Sequence, residues 1–149
     1  METDKNMFFF RFEDLRIYNK ALDYVSWVYN NTQHFPETNR LSLTNKFICA
    51  AQCIAINISE GSSRNKTQFI YYLKMAKSSI RECIVYTTVA EKLGFFGENN
   101  VEDSRNVLIE MTKMIGALIA SLQRSERPGE KTDDDFDDNP NHNLNSEII

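Results

Sequence analysis

An all-α chain folded as an antiparallel up-down four-helix bundle is the fold class this sequence predicts. Three observations predict it. Four stretches carry apolar residues at alternating steps of three and four, the spacing of one helix face. The 149 residues include only five Gly and three Pro, too few for an all-β chain rich in turns. The stretches are joined by short connections, which make successive helices antiparallel neighbours. A chain of this length is one domain by default and buries a core without disulfides or metal.

The first helix is expected over residues 14–34, with Leu15, Tyr18, Leu22, Val25 and Tyr29 on its inward face. Phe35-Pro36 ends it, because a residue before proline avoids the α region. The second runs over residues 43–59 with Phe47, Ala51, Ile54 and Ile58 as its stripe. Ala50, Ala51 and Ala55 are small and admit a neighbouring helix closely, and Gly61 then suits a left-handed helix end. The third opens at Asn65, with Gln68 three residues on in a capping-box pattern. Phe69, Leu73, Ala76, Ile80 and Cys83 share its inner face, and Gly94 stops it. The fourth is expected to start at Asn100 as N-cap, with acidic residues in its first turn. Its stripe is Leu108, Met111, Ile115, Leu118 and Leu122, and the spacing suits helices crossing at shallow angles.

Beyond residue 125 the apolar period vanishes. Residues 126–149 hold eight acidic residues against Arg127 and Lys131 and read as an acidic disordered tail. The overall charge of −4 therefore hides a weakly basic bundle, residues 1–125, at +2. Neither value marks a strong nucleic-acid binder by charge alone. An odd count of three cysteines, Cys49, Cys53 and Cys83, suits buried reduced thiols in a cytoplasmic protein. The opening METDKNMFFFRF lacks the basic and apolar regions of a signal peptide. No apolar run approaches the roughly 20 residues of a membrane helix, so no membrane partner is expected.

In the stretch NISEGSSR at residues 57–64, Glu60, Gly61 and Arg64 sit where a catalytic loop, a phosphate cradle or a plain helix-to-helix turn could be. A phosphate cradle needs several glycines to converge backbone N–H groups, and Gly61 stands alone. Glu60 with Glu82 could serve as an acid–base pair, but a compact bundle offers little room for substrate. The favoured reading is a shaped corner between the second and third helices. There Asn57 and Glu60 pair with polar groups, and Arg64 is a partner. Cys49 and Cys53 lie four apart with Cys83 on the facing helix, which could begin a zinc site. No histidine accompanies them, because His34 and His142 lie elsewhere. Packing as small apolar residues is the favoured role, with no metal and no cofactor. The same shortage of histidines weighs against a Cys-His or Ser-His nucleophile.

Lys74, Lys77 and Arg81 follow steps of three and four and share one face of the third helix, with Arg64 and Lys66 near its start. Such a stripe can contact phosphates, and it can equally be a solvated face. The acidic tail could compete for it as an internal nucleic-acid mimic. Phe8, Phe9, Phe10 and Phe12 near the N-terminus, and Phe95-Phe96 in the third connection, are expected to cap the bundle ends or form a subunit interface, with the interface favoured.

These residues also resemble a known family. FEDLRIYNKA at residues 12–21, Pro36, LTNK at 43–46, AINISEG at 55–61, Arg64, Phe69 with Leu73, Ala76, and Ser79 with Glu82 are similar to the proteins encoded in intervening sequences of 23S rRNA genes. Relatives of that family include the accessory variability proteins of diversity-generating retroelements. Ser59 stands where the family usually has alanine, and Ser78 where it often has glycine. The resemblance covers residues 12–122. It implies a four-helix bundle assembled into a ring-shaped homo-oligomer, a homopentamer, without enzymatic activity or a small-molecule substrate. Asn57, Glu60, Gly61, Arg64, Ser79 and Glu82 are its motif positions. RNA, DNA or a reverse transcriptase are the partners it implies. The alternative is a purely structural homo-oligomeric module with a protein partner.

Overall fold

The computed structural model of the chain describes residues 11–125. The expected acidic tail and the aromatics Phe8, Phe9 and Phe10 lie outside the described residues. Four α-helices make up the body: α1 (Arg16–Thr32), α2 (Asn45–Ser62), α3 (Lys66–Lys92) and α4 (Glu98–Arg124). A 3-10 turn, Arg11–Asp14, precedes α1, and a 3-10 turn followed by a π-type turn, Arg40–Thr44, leads into α2. No strand occurs among the described residues. Each helix packs on the next in the chain, most extensively α2 on α3, and α1 also packs on α4.

The helix ends follow local chemistry. Asn65 caps α3, its side-chain oxygen accepting from the Gln68 N–H at 2.9 Å. Gly94 closes α3 at φ 77°, a left-handed conformation that glycine adopts without steric penalty. The Phe95 N–H reaches Ala90 O at 2.8 Å and the Gly94 N–H reaches Glu91 O at 3.0 Å, the paired bonds of a Schellman end. The start of α4 corrects the sequence reading. Gly97, in extended conformation, is its N-cap, and Asn100 is already helical.

From the last three helices the core takes Phe47, Ile54, Ile58, Leu73, Ile80, Leu108, Met111 and Ile115, as their stripes predict. The stripe of α1 is a correction. Its buried residues are Ile17, Ala21, Tyr24, Val28 and Thr32. Leu22 and Tyr29 are 41% and 46% exposed. Two apolar rows run along α1 about 100° apart, and the core takes the row of smaller residues around Ala21, with Tyr24 satisfied by a hydrogen bond. Phe96 is another correction. It is 4% exposed and packs in T-shaped contacts with Trp27, Phe35 and Phe47, so it belongs to the core rather than to an interface.

A polar chain crosses this core. The Thr87 hydroxyl donates to Cys83 O at 2.7 Å. Its oxygen lies 2.8 Å from Ser104 Oγ, which lies 2.9 Å from the Tyr24 hydroxyl. A carbonyl only accepts, so the single Thr87 proton is committed and the directions are fixed. Tyr24 donates to Ser104, Ser104 to Thr87, and Thr87 to the backbone. No buried side-chain polar atom among the described residues lacks a partner. Burial pushes the Tyr24 phenol far above its ordinary value, so it stays a donor at any physiological pH.

The stretch Glu37–Ser62 is long and apolar enough, at mean hydropathy 1.3, to cross a membrane by length and composition, although Arg40 and Lys46 interrupt it. Burial of Phe47, Ala51, Ile54 and Ile58 inside the bundle accounts for that composition, since a core helix passes the same test.

Gly61 has a different role from the one its position suggests. It lies within α2 and does not have a positive φ. A Cβ there would sit 2.7 Å from Tyr72 Cβ and 2.8 Å from Phe69 Cδ2, so the missing side chain lets α3 approach. Gly61→Ala is expected to destabilise the protein by about 1–2 kcal/mol, overpacking outweighing alanine's helix propensity. A thermal melt checks this, and an unchanged or raised midpoint would refute the close-approach account.

Candidate nucleic-acid interface

The corner between α2 and α3 is held by its own side chains. The Glu60 carboxylate pairs with Arg64 at 3.5 Å, one turn apart, and the Arg64 guanidinium lies over the Tyr72 ring at 5.7 Å. Ser63 Oγ donates to Glu60 O, and Ser62 Oγ donates to Ser59 O, closing the last turn of α2. Asn57 is not part of the corner. Its amide donates to Cys53 O at 2.9 Å within α2. The segment is therefore a shaped turn in which Glu60, Gly61 and Arg64 act together.

Ser79 and Glu82 mark a second location on α3, Ser79 at the seam with α2 and Glu82 on the exposed edge of that seam. Ser79 is buried there, its small side chain allowing the helices to close. Glu82 is exposed, and its carboxylate bears on Cys53, Cys83 and Tyr86. Burial first, then Glu82 and Cys49, raises the Cys53 thiol. Burial first, then Glu82, raises Cys83 well beyond the range of a reactive thiolate. Cys53 is seven residues from Glu60, about 10 Å along the helix. Glu60 is held by Arg64 at the corner, and Glu82 bears on Cys53 further back along α2.

A cleft of about 520 Å³ opens between the end of α1 and the start of α2. Tyr29, Phe35, Arg40, Ile48, Cys49 and Gln52 line it, and neither Glu60 nor Glu82 does. Arg40 is paired with Glu37 at 2.7 Å. No three His, Cys, Asp or Glu among the described residues converge on a metal-sized site.

The five cations singled out in the sequence divide into two groups. Arg64 is committed to Glu60 and Tyr72, and Lys66 donates to Ser125 O at 3.1 Å. Both act as fasteners of helix ends. Lys74, Lys77 and Arg81 make no ion pair among the described residues, whose three pairs are Lys20–Glu110, Arg40–Glu37 and Arg64–Glu60. Lys74 and Arg81 are exposed and Lys77 is half-buried between them. Partial burial first, then Arg81 and Lys74, lowers the Lys77 ammonium from its ordinary value. The row is about 10 Å long. It is an uncompensated positive strip on a rigid helix, a form that phosphates can neutralise.

Beside it on α3 runs a feature the sequence reading missed. Tyr71, Met75, Val85 and Val89 are exposed, Tyr71 and Val85 each at 58%. With Ser78 and Glu82 they follow alternating steps of four and three, a second stripe on the outward side. Its spacing is legible in the sequence, one position out of phase with the basic row.

The cysteines correct an expectation. Cys49 and Cys53 are exposed, and Cys83 alone is buried. Two of the three thiols are therefore expected to react with a bulky thiol reagent in the native protein, and Cys83 only on unfolding. Fewer than two fast thiols in a native titration would refute this placement.

A family model described as 23S rRNA-intervening sequence protein matches residues 13–117. No match was found among curated proteins. The matched stretch runs from the turn before α1 into the later turns of α4 and takes in the corner, the seam and the basic row. It covers more than two thirds of the sequence, and the chain belongs to the family of 23S rRNA-intervening sequence proteins.

Proposed function

We propose that this protein is a non-enzymatic binding or scaffold protein of the cytoplasm that presents α3 to RNA or DNA. Its helices run up and down antiparallel, and its bundles close into a ring-shaped homopentamer. The observation that carries the reading is the uncompensated row Lys74, Lys77 and Arg81. A ring repeats that row in each subunit, so three modest phosphate contacts per chain add by avidity. The antiparallel course is supported by Lys66 at the start of α3 bonding the residue after α4. Phe96, between α3 and α4, also meets Phe35 beyond α1 and Phe47 near the start of α2. Association is supported by the apolar outward stripe of α3, which water would otherwise cover. Three free thiols suit a reducing compartment. A membrane, a small-molecule substrate and a cofactor have no part in this function.

That same stripe favours a second reading, a purely structural homo-oligomeric module whose partner is another protein. Salt dependence separates the two. Titrating the protein into labelled structured RNA, with fluorescence anisotropy as readout, should give binding that weakens about fortyfold from 50 to 200 mM salt if three phosphates are neutralised. The K74E/K77E/R81E variant should abolish it. No binding at low salt would remove the nucleic-acid reading and leave the protein-partner one. Sedimentation velocity should give five chains per particle, and a monomer or dimer would remove the ring.

A further inference from the structure

The described chain ends beside the start of the basic row. α4 finishes at Arg124, and Lys66 in the first turn of α3 donates to the carbonyl of Ser125 at 3.1 Å. By helical phase, Lys66 shares the flank of α3 that carries Lys74, Lys77 and Arg81. Lys66 to Lys74 spans about 12 Å, and Lys66 to Arg81 about 22 Å. The chain therefore leaves the bundle at one end of the row. The row itself holds three like charges without a counterion among the described residues, and partial burial first, then Arg81 and Lys74, disfavours the charge of Lys77 in its middle.

The sequence after Ser125 has the opposite sign. It carries eight acidic residues against two basic ones, and Asp133, Asp134, Asp135, Asp137 and Asp138 form a dense run. Asp133 is eight residues beyond Ser125. An extended segment of that length reaches about 27 Å, enough to place the run anywhere from Lys74 to Arg81. Tethering holds the run at an effective concentration in the millimolar range, so individually weak ion pairs suffice.

We propose that the aspartate run at 133–138 docks on the Lys74–Lys77–Arg81 row of its own chain and covers it when no other polyanion is bound. The inference rests on α3 being an anion-binding face and not on the identity of the anion. Any external polyanion must displace the run. If the run occupies the row nine-tenths of the time, the apparent affinity for that polyanion falls about tenfold.

Zero-length carbodiimide crosslinking of the full chain at low salt tests the contact, because it joins a lysine amine to a carboxylate only when the two touch. Peptide mapping of the monomer band from a denaturing gel should find Lys74 and Lys77 joined to acids at 133–138. These links should vanish at about 1 M salt, where the Debye length is about 3 Å. They should also vanish in the variant with all five aspartates changed to Asn. Absence of such links, or their even spread over Lys20, Lys46, Lys92 and Lys113, overturns the proposal. So does a link found only between chains, which would make α3 an interface between copies. Heparin is the second probe: the five-Asn variant should bind it about tenfold more tightly than the native chain, and equal affinities also overturn the proposal. Links that form in a protein with no affinity for RNA would remove the nucleic-acid reading and leave the docking intact.

Discussion

The hydrogen-bond chain from Tyr24 through Ser104 to Thr87 is the constraint on which the rest of the bundle depends. Apolar stripes alone fix that helices pack but leave each helix free to rotate by a fraction of a turn. A directed chain of hydroxyls removes that freedom, since a buried donor or acceptor without a partner is expensive. It joins α1, α3 and α4 at one level of the core. It also explains why α1 turns the row of Ala21 and Tyr24 inward and leaves Leu22 and Tyr29 at the surface. With the phase of α3 set by Thr87, Lys74 and Arg81 are carried outward and Ser79 is carried into the seam with α2.

The fourth helix of the set, α2, is held by shape instead. Ala50, Ala51, Ala55 and Gly61 present almost no side-chain volume, and α3 packs closely on them. Close packing of this kind maximises dispersion contacts and tolerates little change in volume. The Glu60–Arg64 pair and the ring of Tyr72 then cover the end of that seam. The segment Glu60, Gly61 and Arg64 is thus a structural one at the corner. The surface available for a partner lies further along α3, where a basic row and an apolar row run side by side.

Much of this was legible in the sequence. Spacing alone located four helices, the cap at Asn65 and the stop at Gly94, because each depends on residues within a few positions. The stripe of α1 misled because two rows of similar hydrophobicity lie side by side, and the choice depends on a hydroxyl of α4 that is 80 residues away. Ser104 and Thr87 stand in phase with Leu108 and Cys83, so their burial was readable, but their pairing was not. Gly61 was read as a φ requirement when a steric one applied, a distinction that needs the position of Tyr72. Among the cations, spacing grouped five residues, and only their partners divided them into two fasteners and a free row of three. Exposure of Cys49 and Cys53 was legible, since both lie on the side of α2 away from the stripe of Phe47, Ala51, Ile54 and Ile58.

The stretch that matches the 23S rRNA-intervening sequence family takes in both the corner between α2 and α3 and the basic row on α3. The buried hydroxyls of Tyr24, Ser104 and Thr87 set the phase of that face. A double-mutant cycle on Tyr24→Phe and Ser104→Ala, followed by denaturant unfolding, tests the claim most directly. Ser104→Ala strands the Tyr24 hydroxyl in the core and should cost about 1–3 kcal/mol. The double variant should be more stable than Ser104→Ala alone, with a coupling of about 1 kcal/mol or more. If the two changes instead add to within about 0.5 kcal/mol, the hydroxyls act independently and do not phase the helices.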